Sequence, residues 1–189
     1  MAEIVLDLET QFAFSEVPRG DPALLKISLV GVYRYDTDSY VAYREADLKQ
    51  LWPVLEGADR VIGFNINAFD YAVLRPYYPG RWQEFPTLDI FTVAVQKLGF
   101  RVGLDAIAQA SLGHGKTGHG LDALKWYREG NWTDLERYCL DDVRVTKEVY
   151  EYGKTHGELK YQNRMGSGQF AVDFTYVPKP RSVNLTLGI

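Results

Sequence analysis

Residues 4–10 read Ile-Val-Leu-Asp-Leu-Glu-Thr, and the fold prediction starts from this stretch. Its β-branched and leucine residues predict a β-strand. Side chains two positions apart on a strand lie on the same face, so Asp7 and Glu9 point the same way. Two carboxylates that face together repel each other unless a cation lies between them. The stretch therefore predicts a first strand that carries a pair of metal ligands or, as the alternative, a solvated acidic face.

A hairpin is predicted directly downstream of this strand. Residues 24–35 and 39–44 are rich in Val, Ile, Leu and Tyr, which is typical of strands. The sequence Tyr35-Asp-Thr-Asp-Ser39 between them has the composition of a tight turn. Because a tight turn joins antiparallel neighbours, these two strands are predicted to pair in opposite directions.

The rest of the chain alternates between short apolar runs, typical of buried strands, and apolar residues at helical spacing. Strands are predicted at 60–65 and 86–88. Helices are predicted at 46–56, 69–75, 90–98, 104–112, 119–129 and 133–152, the second of them ended by Pro76. Crossover helices imply parallel strand pairs, so the predicted fold class is α/β, with a mixed sheet flanked by helices.

The chain has 189 residues, which fits one domain and a small addition. We predict a domain over 1–154 and a tail or small appendage over 155–189, where Gly, Asn, Ser and Pro are frequent and 170–176 could form a strand. A single cysteine, Cys139, excludes an intramolecular disulfide and a cysteine-rich zinc site. No signal-peptide pattern and no apolar run of about 20 residues is visible. These absences favour the cytoplasm and no membrane partner.

Overall charge does not identify a nucleic-acid-binding protein, because the formal net charge is −4. A nuclease that holds catalytic cations needs clustered carboxylates, however, and bound divalent ions reverse the local field. The acidic balance is therefore compatible with a nucleic-acid substrate.

A second polar motif follows the strand predicted at 60–65. The sequence from Ile62 reads Ile-Gly-Phe-Asn-Ile-Asn-Ala-Phe-Asp, so Asn65 ends the strand and Asp70 lies where the next helix begins. Ends of strands in α/β sheets are where sites are built. The alternative is that Asp70 or Asn67 caps the helix.

A third motif lies in the last predicted helix, where residues 138–142 read Tyr-Cys-Leu-Asp-Asp. Tyr138 and Asp142 are four residues apart and share one face of the helix, whereas Asp141 is displaced by about 100°. The alternative is a core tyrosine beside a surface aspartate.

Together and in this order, the three motifs resemble those of the DEDD superfamily of 3′–5′ exonucleases, over residues 3–152. The sequence around Asn65 and Asp70 is similar to that in the exonuclease domains of family-B DNA polymerases. It is also similar to that in related bacterial domains, some of which are attached to helicases. One branch of this superfamily has a histidine five residues before the last aspartate, where this chain has Arg137; the other has a tyrosine four residues before it, where this chain has Tyr138. His114, His119 and His156 do not fit the histidine spacing, so the chain resembles the tyrosine branch.

The resemblance implies a ribonuclease-H-like fold and hydrolysis of phosphodiester bonds at a free 3′ end of single-stranded DNA or RNA. It implies two divalent cations, Mg²⁺ or Mn²⁺, with Asp7 as the bridging ligand and Glu9, Asp70 and Asp142 completing the two shells. Tyr138 would orient the attacking water.

The resemblance also implies that Asn65 contacts substrate or supports the site, that Thr10 and Phe69 contact substrate, and that a helicase or polymerase is a partner. Two alternatives stay open. One is a non-catalytic nucleic-acid-binding or helicase- or polymerase-associated domain; the other is an endonuclease of the same broad fold.

Three further features receive a structural interpretation. Residues 110–117, Ala-Ser-Leu-Gly-His-Gly-Lys-Thr, resemble a phosphate-binding loop, but a helical pattern precedes them where such a loop needs a strand, so Lys116 is predicted in a helix–helix loop. Asp89 precedes a helix and is predicted to be its N-cap. The aromatic residues of segment 77–85 could stack on bases or pack beneath their own loop.

Overall fold

The computed structural model of the chain describes residues 2–115, 120–164 and 166–177. The main sheet contains five strands in the order β3-β2-β1-β4-β5. They are β1 (Glu3–Thr10), β2 (Ile27–Arg34), β3 (Ser39–Arg44), β4 (Arg60–Gly63) and β5 (Thr87–Asp89). β1 pairs antiparallel with β2 and parallel with β4, β2 pairs antiparallel with β3, and β4 pairs parallel with β5. The predicted mixed sheet is confirmed.

Helices cover both faces of this sheet. They are α1 (Leu48–Gly57), α2 (Asp70–Leu74), α3 (Ile90–Leu98), α4 (Leu104–Leu112), α5 (Gly120–Glu129) and α6 (Trp132–His156). The predicted helices 90–98 and 104–112 have the observed bounds. Helix α6 extends past its predicted end to His156, and Gly157, with φ of 70°, terminates it. Within the described parts of the chain, no helix combines the length and the apolar character needed to cross a membrane.

The predicted strand at 24–35 begins later than expected, at Ile27. Residues Pro22–Leu24 form a 3₁₀ turn instead, because Asp21 accepts a hydrogen bond from the Ala23 N–H and the following proline fixes the backbone for a turn. The segment between β1 and β2 is therefore a series of short turns and not an extension of the strand.

Alternation along β1 divides the core into two layers. Leu6 and its neighbours of the same parity pack in a cluster with α1 and α2, whereas Val5 packs in a second cluster with α3, α4 and α6. Asp7 and Glu9 have the parity of Val5. Both carboxylates are therefore on the face of the sheet that α6 covers.

The segment after α6 forms a hairpin of β6 (Glu158–Asn163) and β7 (Gly166–Ala171). The strand predicted at 170–176 lies mostly upstream of its expected place, and residues 172–177 continue without strand pairing. Leu159, Phe170, Val172 and Phe174 are buried in the same cluster as Val5. The described part of the segment thus packs on the α/β core, and the division of the chain after residue 154 stays a prediction.

Buried charges anchor this C-terminal segment at the amino-terminal ends of β1 and β4. The Arg60 guanidinium donates to Glu3 Oε1 at 2.6 Å and to the Phe174 carbonyl oxygen at 3.0 Å. The Tyr150 hydroxyl donates to the Glu3 carboxylate at 3.0 Å. A buried ion pair is tolerated when further hydrogen bonds satisfy its polar atoms, as these do. The C-terminal segment therefore completes a polar network inside the fold.

We expect Phe174→Ala to lower the free energy of unfolding by about 3–5 kcal/mol, because a fully buried ring is replaced by a cavity. Val177, which is 85% exposed in the same segment, provides the control. Val177→Ala should change the stability by less than about 0.5 kcal/mol. Urea unfolding of both variants measures the difference, and equal stabilities would show that the segment is not part of the core.

Candidate active site

Three carboxylates from β1 and α6 meet at one point. Asp7 and Glu9 lie near the carboxyl end of β1 and are half-buried, and Asp142 on α6 is buried. One carboxylate oxygen from each lies within 4.8 Å of the other two. Residues that are 133 or more positions apart in the chain are thus brought together by the packing of α6 on the sheet.

Asp70 is the fourth acidic residue of this region and is almost fully buried, at 2% exposure. Burial raises the pKa of Asp70 well above its usual range, and the nearby charge of Asp7 raises it further. Its Oδ1 is buried and has no hydrogen-bond partner among the described residues. A buried carboxyl group beside another carboxylate needs either a proton or a cation.

The loop that delivers Asp70 is fixed by Asp89. Asn65 adopts a left-handed backbone conformation, with φ of 65°, where the chain turns after β4. Its N–H donates to Asp89 Oδ1 at 2.8 Å, and the N–H of Asn67 donates to Asp89 Oδ2 at 3.2 Å. Asp89 also accepts from the N–H groups of Phe91 and Thr92 at the start of α3. The predicted N-cap is confirmed, and the same carboxylate holds the loop between β4 and α2.

The sequence analysis did not predict this second role of Asp89. Asp89 pairs with Gly63 in the parallel ladder of β4 and β5, so it lies beside the turn that follows β4. Carboxyl ends of neighbouring parallel strands meet at one edge of a sheet, which is the signal that could have indicated the contact.

The three residues predicted to contact substrate differ in their surroundings. Asn65 makes a turn, and its carbonyl oxygen accepts from the N–H of Phe69 at 3.0 Å. The Thr10 hydroxyl donates to the Phe12 carbonyl oxygen at 2.9 Å. Thr10 and Phe69 line the same cavity as the carboxylates. Contact between these residues and a substrate stays a prediction.

Tyr138 lies one helical turn before Asp142 and is 5% exposed. Burial raises the pKa of its hydroxyl, and so do the charges of Asp142, Glu9 and Asp7 and a hydrogen bond to Asp142. The phenol therefore stays protonated at neutral pH. A protonated phenol can donate or accept a hydrogen bond at the carboxylate cluster.

A glycine allows α6 to approach the sheet closely enough for this arrangement. Gly31 on β2 pairs with Asp7, and a Cβ atom at Gly31 would lie 2.9 Å from Val143 Cγ2 and 3.0 Å from Cys139 Sγ. The Cys139 thiol in turn lies 3.8 Å from the Asp7 carbonyl oxygen. The distance between the acids of β1 and Asp142 thus depends on the absence of a side chain at Gly31.

Asp141 lies outside the cluster, as its helical phase predicts. The Arg144 guanidinium donates to Asp141 Oδ1 at 2.6 Å and to Glu148 at 2.9 Å. Asp141 and Asp142 are adjacent in the sequence but have different environments.

The carboxylates open into a cavity of about 480 Å³. The apolar wall of this cavity is formed by Phe12, Phe14, Phe69, Leu121 and Leu124. An ion pair between Arg128 Nη2 and Glu16 Oε2, at 2.6 Å, joins α5, which carries Leu121 and Leu124, to the turn segment after β1, which carries Phe12 and Phe14. The cleft is therefore lined by carboxylates and by apolar side chains.

Two other candidate features have structural roles. In the aromatic segment, Trp82 is 6% exposed and packs against Tyr71, Tyr78 and Phe85. Of the two alternatives for this segment, Trp82 therefore fits packing beneath the loop. The sequence that resembles a phosphate-binding loop, residues 110–117, begins within helix α4 and is not preceded by a strand. Lys116 and Thr117 lie outside the described residues.

A family model of the RNase H superfamily matches residues 5–153, a range that begins in β1 and ends in α6. The chain belongs to the RNase H superfamily. This assignment agrees with the strand order and with a mixed sheet flanked by helices. No curated protein matches the sequence.

Two solved structures share this RNase H-like fold. The family B DNA polymerase from the hyperthermophilic archaeon Pyrobaculum calidifontis matches with a TM-score of 0.62 and 16% identity, over 81% of this chain and 24% of the polymerase. RNase D of Trypanosoma brucei matches with a TM-score of 0.60 and 18% identity, over 79% of this chain and 56% of RNase D. The chain therefore spans between a quarter and somewhat over half of these proteins, and the likeness concerns the fold.

We expect Gly31→Ala to displace α6 from β2, which should lower the free energy of unfolding by about 1–3 kcal/mol. Because α6 carries Asp142, the same variant should bind Mn²⁺ more weakly in isothermal titration calorimetry. Gly57→Ala is the control, since a Cβ atom at Gly57 would meet nothing within 4 Å. Unchanged Mn²⁺ affinity in Gly31→Ala would contradict the proposed dependence of the cluster on helix position.

Proposed function

We propose that this chain is a metal-dependent 3′–5′ exonuclease of the tyrosine branch of the DEDD superfamily, acting on single-stranded DNA or RNA. The observation that carries the proposal is the meeting of Asp7, Glu9 and Asp142 within 4.8 Å of one another, with buried Asp70 beside them. Ionised carboxylates that lie close together repel each other. Three carboxylates that line one cleft, with buried Asp70 beside Asp7, fit a site for cations that act on phosphodiesters in an RNase H-like fold.

The donor set suits Mg²⁺ or Mn²⁺, because both ions prefer carboxylate oxygens and retained waters. Asp70 Oδ1, buried and without a hydrogen-bond partner among the described residues, is an oxygen atom that a cation would satisfy. Asp7, Glu9, Asp70 and Asp142 would hold the ions. When bound, two such ions lower the pKa of water and stabilise the charge that develops on the reacting phosphate.

The protein's own residues position the reactants. The Tyr138 hydroxyl, kept protonated by burial and by the surrounding carboxylates, orients the attacking water by a hydrogen bond. The apolar wall formed by Phe12, Phe14 and Phe69 offers surfaces for the bases of an unpaired strand end. The phosphate then lies toward the acidic side and the bases toward the apolar side.

The structural neighbours, a DNA polymerase and an RNase D, support a nucleic-acid substrate. Both neighbours extend well beyond the region that this chain matches. Association with a helicase or polymerase, and action in the cytoplasm, are parts of the same proposal.

Cleavage of end-labelled strands tests the proposal. With Mg²⁺ or Mn²⁺, a 5′-labelled single strand of DNA or RNA should shorten stepwise, a 3′-labelled strand should release its label first as a mononucleotide, and a circular single strand should stay intact. Cutting of the circle would favour an endonuclease. Failure to cut any strand would favour the non-catalytic alternative.

Asp7→Asn should abolish cleavage and leave the protein folded. In metal-free buffer its melting temperature should exceed that of the unsubstituted protein, because one of several crowded like charges is removed. Added Mn²⁺ should raise the melting temperature of the unsubstituted protein and have little effect on the variant. Differential scanning calorimetry with and without EDTA measures both effects, and full activity in Asp7→Asn would refute the assignment.

Tyr138→Phe should reduce turnover by about 10- to 1000-fold, the expected effect if orienting the water contributes roughly 1.4–4 kcal/mol. Mn²⁺ affinity should barely change, because the phenol is not a ligand. Single-turnover cleavage rates measure the effect.

The two adjacent aspartates provide a matched control for Tyr138→Phe. Asp142→Asn should abolish cleavage, whereas Asp141→Asn should mainly release Arg144 on the helix surface. Unchanged turnover in Tyr138→Phe would remove the tyrosine-branch mechanism even if the exonuclease activity were present.

A further inference from the structure

A second and larger cavity adjoins the candidate active site. It measures about 740 Å³ and lies between β3, α5 and α6. Its lining includes Tyr40, Trp126, Arg137, Tyr138, Asp141 and Arg144. We refer to it as the Tyr40–Trp126 cavity. None of the three sequence motifs predicts it, because Tyr40 and Trp126 lie outside all of them.

Tyr138 connects this cavity to the carboxylate cleft. The same side chain lines the acidic cleft and the Tyr40–Trp126 cavity. The Trp126 ring packs against the Tyr138 ring with centroids 5.8 Å apart. A strand whose scissile phosphate lies at the carboxylates therefore has the Tyr40–Trp126 cavity next to it, on the other side of Tyr138.

The side chains of the cavity suit a flat, uncharged, aromatic group. Tyr40 is 39% exposed on the edge strand, and Trp126 is half-buried. Unpaired bases stack on such rings regardless of their sequence.

The charges of the lining do not favour a phosphate. The lining contains two arginines and, with Asp122, two aspartates. Arg144 is held by Asp141 and Glu148. Arg137 lies 2.6 Å from an Asp134 oxygen. A phosphate would have to compete with these carboxylates, whereas a base can form hydrogen bonds at its edge with either kind of side chain.

We propose that the Tyr40–Trp126 cavity binds an unpaired base of the nucleic-acid strand that is being degraded, against the rings of Tyr40 and Trp126. The inference rests on the proposed function and adds a second point of attachment, beyond the apolar wall of the acidic cleft. Its consequence is a preference for strands of several nucleotides over the shortest ones, without a preference for a particular base.

Fluorescence anisotropy with a ten-nucleotide single-stranded oligothymidylate, and with oligouridylate in parallel, tests the cavity separately from catalysis. The dissociation constant is measured with Ca²⁺, and the integrity of the strand is checked on a gel. Tyr40→Ala and Trp126→Leu should each raise the dissociation constant about 5- to 150-fold, the range for loss of one base–aromatic stack. Tyr127→Ala is the matched control, because Tyr127 is on the same helix as Trp126 but packs on Trp132. It should bind like the unsubstituted protein.

Strands with one abasic site identify the bound nucleotide. The abasic site is placed in turn at each of the four positions nearest the 3′ end. At one of these positions the abasic site should raise the dissociation constant of the unsubstituted protein about as much as Tyr40→Ala does. At the same position it should not raise the dissociation constant of the Tyr40→Ala variant any further. If Trp126→Leu does not fold, Tyr40→Ala, which replaces a partly exposed residue on the edge strand, carries the test alone.

The outcomes separate the two proposals. The base-binding cavity would be overturned if Tyr40→Ala left the dissociation constant unchanged. It would also be overturned if the abasic site weakened binding to Tyr40→Ala as much as binding to the unsubstituted protein at every position. In either case, cleavage with Mg²⁺ would still support the exonuclease. The opposite outcome is an abasic effect that is lost in Tyr40→Ala at one position, while the unsubstituted protein cleaves no strand. That outcome would support the base-binding cavity and overturn the exonuclease.

Discussion

Repulsion among like charges is the constraint on which this site depends. Asp7, Glu9 and Asp142 place oxygens within 4.8 Å of one another, and buried Asp70 adjoins Asp7. Such a cluster does not form spontaneously on a flexible chain, because each carboxylate would be better solvated alone. The rest of the fold must hold these groups in place when no cation neutralises them. A site of this kind is pre-organised for cations at some cost to the stability of the metal-free protein.

Three elements supply that rigidity. Strand β1 is the central strand of the sheet. It pairs with β4 over Glu3–Val5 and with β2 along its length, where Asp7 lies opposite Gly31 and Glu9 opposite Leu29, so pairing with β2 fixes the backbone at both acids. Gly31 lets α6 pack against β2 closely enough for Asp142 to reach them. Asp89 fixes the loop that brings Asp70 to the same edge of the sheet. Each acid is therefore held by a different part of the structure.

Helix α6 links the site to the opposite edge of the sheet. Its first half carries Tyr138 and Asp142, and Tyr150, about two turns later, hydrogen-bonds to Glu3 in the buried network of Arg60 and the Phe174 carbonyl. The helix that carries two residues of the candidate site therefore also helps to hold the C-terminal segment in place. Packing after residue 154 contributes to the stability of the scaffold, although it lies away from the carboxylates.

The sequence by itself determined the fold class, most of the helices and the common face of Asp7 and Glu9, because these follow from periodicities of two and 3.6 residues within short segments. It also determined that Asp142, and not Asp141, shares a helix face with Tyr138. Tertiary structure alone decided the distance between β1 and α6, the hold of Asp89 on the loop after β4, the burial of the C-terminal hairpin, and the cavity between Tyr40 and Trp126. Each of these joins residues that are distant in the chain or depends on a close approach of two elements, and local patterns do not encode the separation between elements.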